Sequence, residues 1–190
     1  MRVRPAYLAA PLLAMAYGLL RLVDGLDGSR GPGLAWTAGH LAFMGALVLF
    51  VYVFRDMWMM LGRSRGATAT LVAGAAGAGL MFVQFAIDVV VGFMAADHEA
   101  MGPLFDQVQA VPGVSPLVYQ AGPVVFYVAM FALVAQLGVR RLVRPWVPVL
   151  VLVQVLLPFA SIDLITVGAL LAVIAFMPLA LRDKRVPAHA

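Results

Sequence analysis

Between Arg21 and His40 the chain reads Arg-Leu-Val-Asp-Gly-Leu-Asp-Gly-Ser-Arg-Gly-Pro-Gly-Leu-Ala-Trp-Thr-Ala-Gly-His, which gathers two guanidinium groups, two carboxylates and an imidazole. Three kinds of chemistry are open to such a set. A carboxylate beside an imidazole can move a proton, arginines can hold an anion, and the oxygens of Asp24 and Asp27 can hold a divalent cation. Farther along, Asp88, with Gln84 four residues before it, and Tyr119 place more polar groups in or beside apolar runs. Spacing of four puts Gln84 and Asp88 on one helix face.

The elements that must position these groups follow from composition. Hydrophobic residues make up 64% of the chain and charged residues 12%, with a mean hydropathy of +0.99. Soluble domains hold roughly 45–50% apolar and about 25% charged residues, so the chain is read as an integral membrane protein. Its 190 residues leave room for about six or seven spans of ~20 residues each. That length predicts a single membrane domain over residues 1–190. There is no cysteine, which excludes disulfides and thiolate metal sites. The net charge of +4 arises from basic residues at helix ends, where membrane orientation accounts for them, so no nucleic-acid partner is expected.

Hydrophobic runs predict an all-α polytopic transmembrane bundle with spans over 6–23, 34–54, 67–95, 117–139, 145–161 and 163–181. The first run is read as retained, because it exceeds the ~7 to 15 apolar residues of a secretory signal and closes on Arg21 and Asp24. Four glycines and a proline make the 24–33 link a turn region. In span three, Ala73 with Gly77 and Ala75 with Gly79 form small-xxx-small pairs suited to close helix contact. The polar 97–113 segment, with Asp97, Glu99 and Asp106 as a solvated face, holds prolines that break a continuous helix but leave room for a short surface one. Met57, Met59 and Met60 beside Trp58 read as interfacial filler, and the 55–66 stretch as a loop. The last apolar tract is too long for one crossing and must break near Ser161-Ile-Asp163, where Asp163 is the expected N-cap.

Basic residues alternate between the two sides. Arg2, Arg4, Arg55, Arg63, Arg65, Arg140, Arg141, Arg144, Arg182, Lys184 and Arg185 fall on one side, and only Arg21 and Arg30 on the other. The positive-inside rule then predicts six crossings with both termini cytoplasmic. Intramembrane ionisable groups cost about 2.5 to 3.5 kcal/mol at a span centre, so each needs a partner or a purpose. On this topology they collect in the outer half, with His40 roughly 9 Å below the outer end of span two.

The candidate ligand-binding set is therefore Arg21, Asp24, Asp27, Trp36, His40, Gln84, Asp88 and Tyr119. His40, Gln84 and Asp88 are expected to face one another, with Arg21 or Arg30 as counter-ion. Too few polar groups line the inner half for a pump or channel path. One histidine within a span excludes a bis-histidine haem, and neither a cofactor nor a metal is expected. The leading expectation is an outward-facing polar cavity that binds a small or lipid-like molecule, as a transport accessory, tolerance factor or sensor. Two alternatives stay open: a membrane enzyme acting on a lipid or isoprenoid, with Asp88 as general acid and His40 orienting substrate, and a purely structural subunit. Membrane lipids and that ligand are the expected partners.

Two resemblances bear on this. Asp24-Gly-Leu-Asp27-Gly28 resembles the opening of the CDP-alcohol phosphotransferase signature, but Gly31 and Pro32 stand where Ala-Arg should follow and the downstream aspartate pair is missing. Membership of that family is rejected. An apolar first span, a Gly39-His40 pair early in span two, a small-residue third span carrying Asp88, and a short final pair of helices resemble small uncharacterised bacterial multi-pass membrane proteins. That resemblance implies a location in the bacterial cytoplasmic membrane and no particular activity.

Overall fold

A computed structural model describes residues 4–26 and 28–181. Asp27, Arg2 and the basic tail from residue 182 lie outside the described residues. The fold is helical throughout, with no strand among the described residues. The helices are α1 (Ala6–Asp24), α2 (Leu34–Met60), α3 (Arg65–Met94), α4 (His98–Gln109), α5 (Gly122–Val139), α6 (Trp146–Ala160) and α7 (Ile165–Ala180). A π-helical turn, Val114–Ala121, leads into α5, and a 3-10 turn, Ile162–Leu164, leads into α7. Five helical stretches are long and apolar enough to cross a membrane, and α6 is a shorter apolar helix of 15 residues.

Local chemistry sets the ends. The Ser64 hydroxyl accepts from the Ala67 amide at 3.4 Å and starts α3, and Asp97 accepts from Ala100 at 2.9 Å to start α4. Ser161, extended at φ −159°, separates α6 from α7, so the expected break falls where the sequence placed it. Its cap differs from expectation: the Ser161 hydroxyl takes the Asp163 amide at 3.3 Å, which leaves the Asp163 carboxylate for another use. Helix α2 also runs beyond the expected 34–54. Arg55 to Met60 form its last turns rather than a loop.

Six helices close into a ring in which α1 touches α2, α2 touches α3, α3 touches α5, α5 touches α6, α6 touches α7, and α7 returns to α1. α1 and α7 run antiparallel, since the Arg4 amide bonds the Ala180 carbonyl at 2.9 Å at one end and Arg21 meets Asp163 at the other. The ring encloses an aromatic core. Phe126 lies 5.5 Å from Phe50 and 5.6 Å from Phe54, while Tyr7 meets Phe176 edge-on at 5.9 Å.

Glycines set how closely the ring draws together. A Cβ on Gly77 would come within 2.9 Å of the Phe126 Cα and 3.0 Å of the Gly122 carbonyl, so α3 and α5 meet backbone to backbone there. The predicted pairing of Ala75 with Gly79 is corrected: Gly79 has nothing near it, and the buried stripe runs through Gly74, Gly77, Ala78, Met81, Phe85 and Asp88. That stripe follows the helical period of three and four. Between α6 and α7, Pro158 has no N–H to give the Gln154 carbonyl, and Gly168 approaches that oxygen so closely that a Cβ would lie 3.1 Å away.

Candidate functional site

Helices α2 and α3 bring the two buried ionisable residues together. His40, 4% exposed, and Asp88 face one another with Nε2 3.6 Å from Oδ2. Nδ1 of His40 lies 2.7 Å from the Trp36 carbonyl, one helical turn earlier. A carbonyl only accepts, so Nδ1 carries a proton and Nε2 is the nitrogen turned toward the carboxylate.

Aromatic side chains enclose the imidazole. Tyr17, Trp36 and Phe85 ring the imidazole at centroid distances of 5.5, 4.2 and 5.2 Å, and Phe43 stacks on Phe85 at 4.4 Å. The Tyr119 hydroxyl, carried on the π-helical turn, donates to Asp88 Oδ1 at 3.5 Å. Trp36 Nε1 donates to the Asp88 backbone carbonyl at 2.9 Å. Gly92 makes room for that indole, because a Cβ there would sit 2.6 Å from Nε1.

The arginines take other partners, which corrects the expected counter-ion. Arg21 Nε and Arg30 Nη2 both reach Asp163 Oδ1, at 3.2 and 2.9 Å. Asp163 projects from the turn beside the end of α1, within reach of both guanidinium groups. Gln84 does not join the pair either. No hydrogen bond connects it to His40 or Asp88, and its Oε1 is buried without a partner among the described residues. Asp24 lines a space of about 10 Å³ with Tyr17, Arg21, Trp36 and His40, room for about one water. Asp27 lies outside the described residues.

Above this closed centre is an open vestibule of about 670 Å³. Arg21, Arg30, Trp36, His98, Glu99 and Phe105 are among the residues lining it. Arg21 and Trp36 border both spaces, and the Trp36 ring lies 4.2 Å from the imidazole. One side of the vestibule is α4, tied to the α1–α2 link by a hydrogen bond from His98 Nδ1 to the Arg30 carbonyl. Sequence reasoning treated Glu99 as part of a solvated face and did not use His98. Amphipathic spacing of Met101, Leu104, Phe105 and Val108 was the available signal, hidden by Pro103.

A second polar cluster, at the opposite end of the bundle, was also missed. Asp56 accepts from Arg4 and, at 3.0 Å, from the Tyr7 hydroxyl, and the Met60 sulfur lies 3.6 Å from Arg4 Nη1. Met57 is fully buried and Met60 joins the cluster, so these two methionines are core and cluster residues rather than interfacial filler. Reading 55–60 as a loop hid the cluster, since only continued helix puts Asp56 and Met60 on one face. Among the described residues no group of three or more His, Asp or Glu side chains is placed to hold a metal ion. Comparison with protein-family models, curated proteins and solved structures found no match to this chain.

Proposed function

We propose that this chain crosses the bacterial cytoplasmic membrane six times, keeps both termini in the cytoplasm, and uses the vestibule on its outer face to bind a small or lipid-like molecule. The vestibule carries the reading. Its 670 Å³ falls within the roughly 300 to 1,000 Å³ of small-molecule sites, and it combines charged groups from Arg21, Arg30 and Glu99 with the apolar rings of Trp36 and Phe105. Six crossings are supported by α6, which begins beside the arginine-rich turn after α5 and ends at Ser161, next to the residue that meets Arg21 at the far end of α1. Orientation is supported by the arginine asymmetry between the two sides.

A catalytic role for Asp88 with His40 would need substrate space at the carboxylate. The 10 Å³ beside His40 supplies none while Trp36 is seated, so binding rather than turnover is carried forward. A structural role alone would leave the vestibule without a purpose. Mass spectrometry of small molecules that copurify with the detergent-solubilised protein tests the proposal. A species retained by wild type and lost from Arg30→Gln and Glu99→Gln supports it. Identical profiles for all three proteins, each folded by circular dichroism, would overturn it.

A further inference from the structure

Helix α5 ends at the arginine-rich end of the bundle in a Schellman motif. Leu142 N–H bonds the Leu137 carbonyl and Arg141 N–H the Gly138 carbonyl, both at 2.9 Å, which satisfies carbonyls the helix end leaves open. The residue in the left-handed position is ordinarily glycine, yet here it is Arg141, at φ 54°. Holding a side chain with a Cβ in that region is unfavourable and persists where the surroundings or a function require it. The one other non-glycine residue with positive φ among the described residues is Arg63, at φ 55°, and its guanidinium lies over the Trp58 ring at 5.3 Å. Arg141 has no such outlet. Neither it nor Arg144 forms an ion pair or side-chain hydrogen bond among the described residues.

Both arginines open onto a concave space of about 500 Å³. Its other walls are Leu142, Val143, Trp146, Pro178 and Leu179. The depth of this space follows from α6. Fifteen residues span about 22 Å, short of the roughly 30 Å hydrocarbon core, so α6 draws the turn before it toward headgroup level. Trp146, at the first position of α6, is a residue type that favours that level.

We infer that this turn is a binding site for an anionic phospholipid, with Arg141 and Arg144 on its phosphate and Trp146 and Leu179 against the glycerol and upper acyl chain. Positive-inside placement explains why arginines occur at this end of the bundle. It does not explain a strained arginine lining an apolar-walled hollow that has no carboxylate among the described residues lining it, whereas guanidinium groups pair with phosphate through charge-assisted bonds. The site is separate from the vestibule and does not depend on it.

The test uses the whole protein in dodecylmaltoside, titrated with phosphatidylglycerol, phosphatidylcholine or inorganic phosphate. Lipid retained is read by native mass spectrometry. Phosphatidylglycerol is expected to bind wild type at least about tenfold more tightly than phosphatidylcholine, with inorganic phosphate unable to displace it. Arg141→Gly and Arg144→Gln should each weaken phosphatidylglycerol by about tenfold, while Arg63→Gln changes it by less than about twofold. Without lipid, Arg141→Gly should unfold at a higher temperature than wild type, because glycine accepts the left-handed backbone, so its loss of lipid does not come from a damaged fold. Equal binding of both lipids, full retention by the Arg141→Gly/Arg144→Gln double variant, or an equal loss in Arg63→Gln would overturn the proposal. Displacement by inorganic phosphate would make the ligand a soluble anion and overturn the lipid assignment.

Discussion

His40 donates its Nδ1–H to the Trp36 carbonyl, so what stands opposite Nε2 decides whether the centre of the bundle is satisfied. That requirement can be met by a neutral donor. In Asp88→Asn the amide can present N–H to an unprotonated Nε2, and thermal unfolding in detergent should stay within about 1 kcal/mol of wild type. Asp88→Ala leaves the buried nitrogen facing nothing and removes the acceptor for Tyr119, and should cost about 1 to 3 kcal/mol. Equal losses for the two variants would show that charge, rather than hydrogen-bond complementarity, holds the pair. Asp163 differs in kind. Its side chain is 43% exposed, and the two arginines converge on it at the rim. Exposed pairs of this sort contribute little to stability, so its interest lies in shaping the vestibule edge.

Helices in lipid gain little from burying apolar surface against one another, so close backbone approach and side-chain fit decide which faces meet. α3 makes this testable within a single helix. Gly77→Ala pushes a methyl into the backbone of α5 and should destabilise by about 1 to 3 kcal/mol. Gly79→Ala, two residues on, meets open space, so it should be neutral or stabilise by up to about 1 kcal/mol through helix propensity. Comparison of unfolding temperatures in one detergent checks the ordering, and a greater loss at Gly79 would mean that α3 is rotated from the orientation described. α4 behaves differently from the ring helices. It touches only α3 and the π-helical turn among the helical elements, so the vestibule wall is the least supported helix of the fold.

Taken together, the ring has two unlike ends. One holds the Arg4–Tyr7–Asp56 cluster and the strained turns at Arg63 and Arg141; the other holds the vestibule and the Asp163 bridge. On the proposed topology the first end faces the cytoplasm. Reporter fusions after Gly62 and after Arg144 should therefore report a cytoplasmic location, and fusions after Gly28 and Gly113 the opposite side. A cytoplasmic signal at Gly28 would invert the molecule and leave the vestibule facing inward.

The all-helical apolar character of the chain, the break at Ser161 and the presence of buried polar residues in α2 and α3 were legible from hydropathy, because the cost of exposing backbone or charge to lipid is paid residue by residue along the chain. Partner choice was legible only in part. His40 and Asp88 face one another as expected, but Gln84 stands apart from them, and Arg21 and Arg30 found Asp163 more than 130 positions away rather than Asp88, as the sequence separations of 142 and 133 record. The same limit applied to Asp56, whose place opposite Arg4 depends on how far α2 continues, and to Gly77, whose value depends on α5 standing against it. Composition reports the solvent each segment requires; which side chains meet follows from how the helices rotate and pack around one another, and that information is carried by shape distributed over the whole ring.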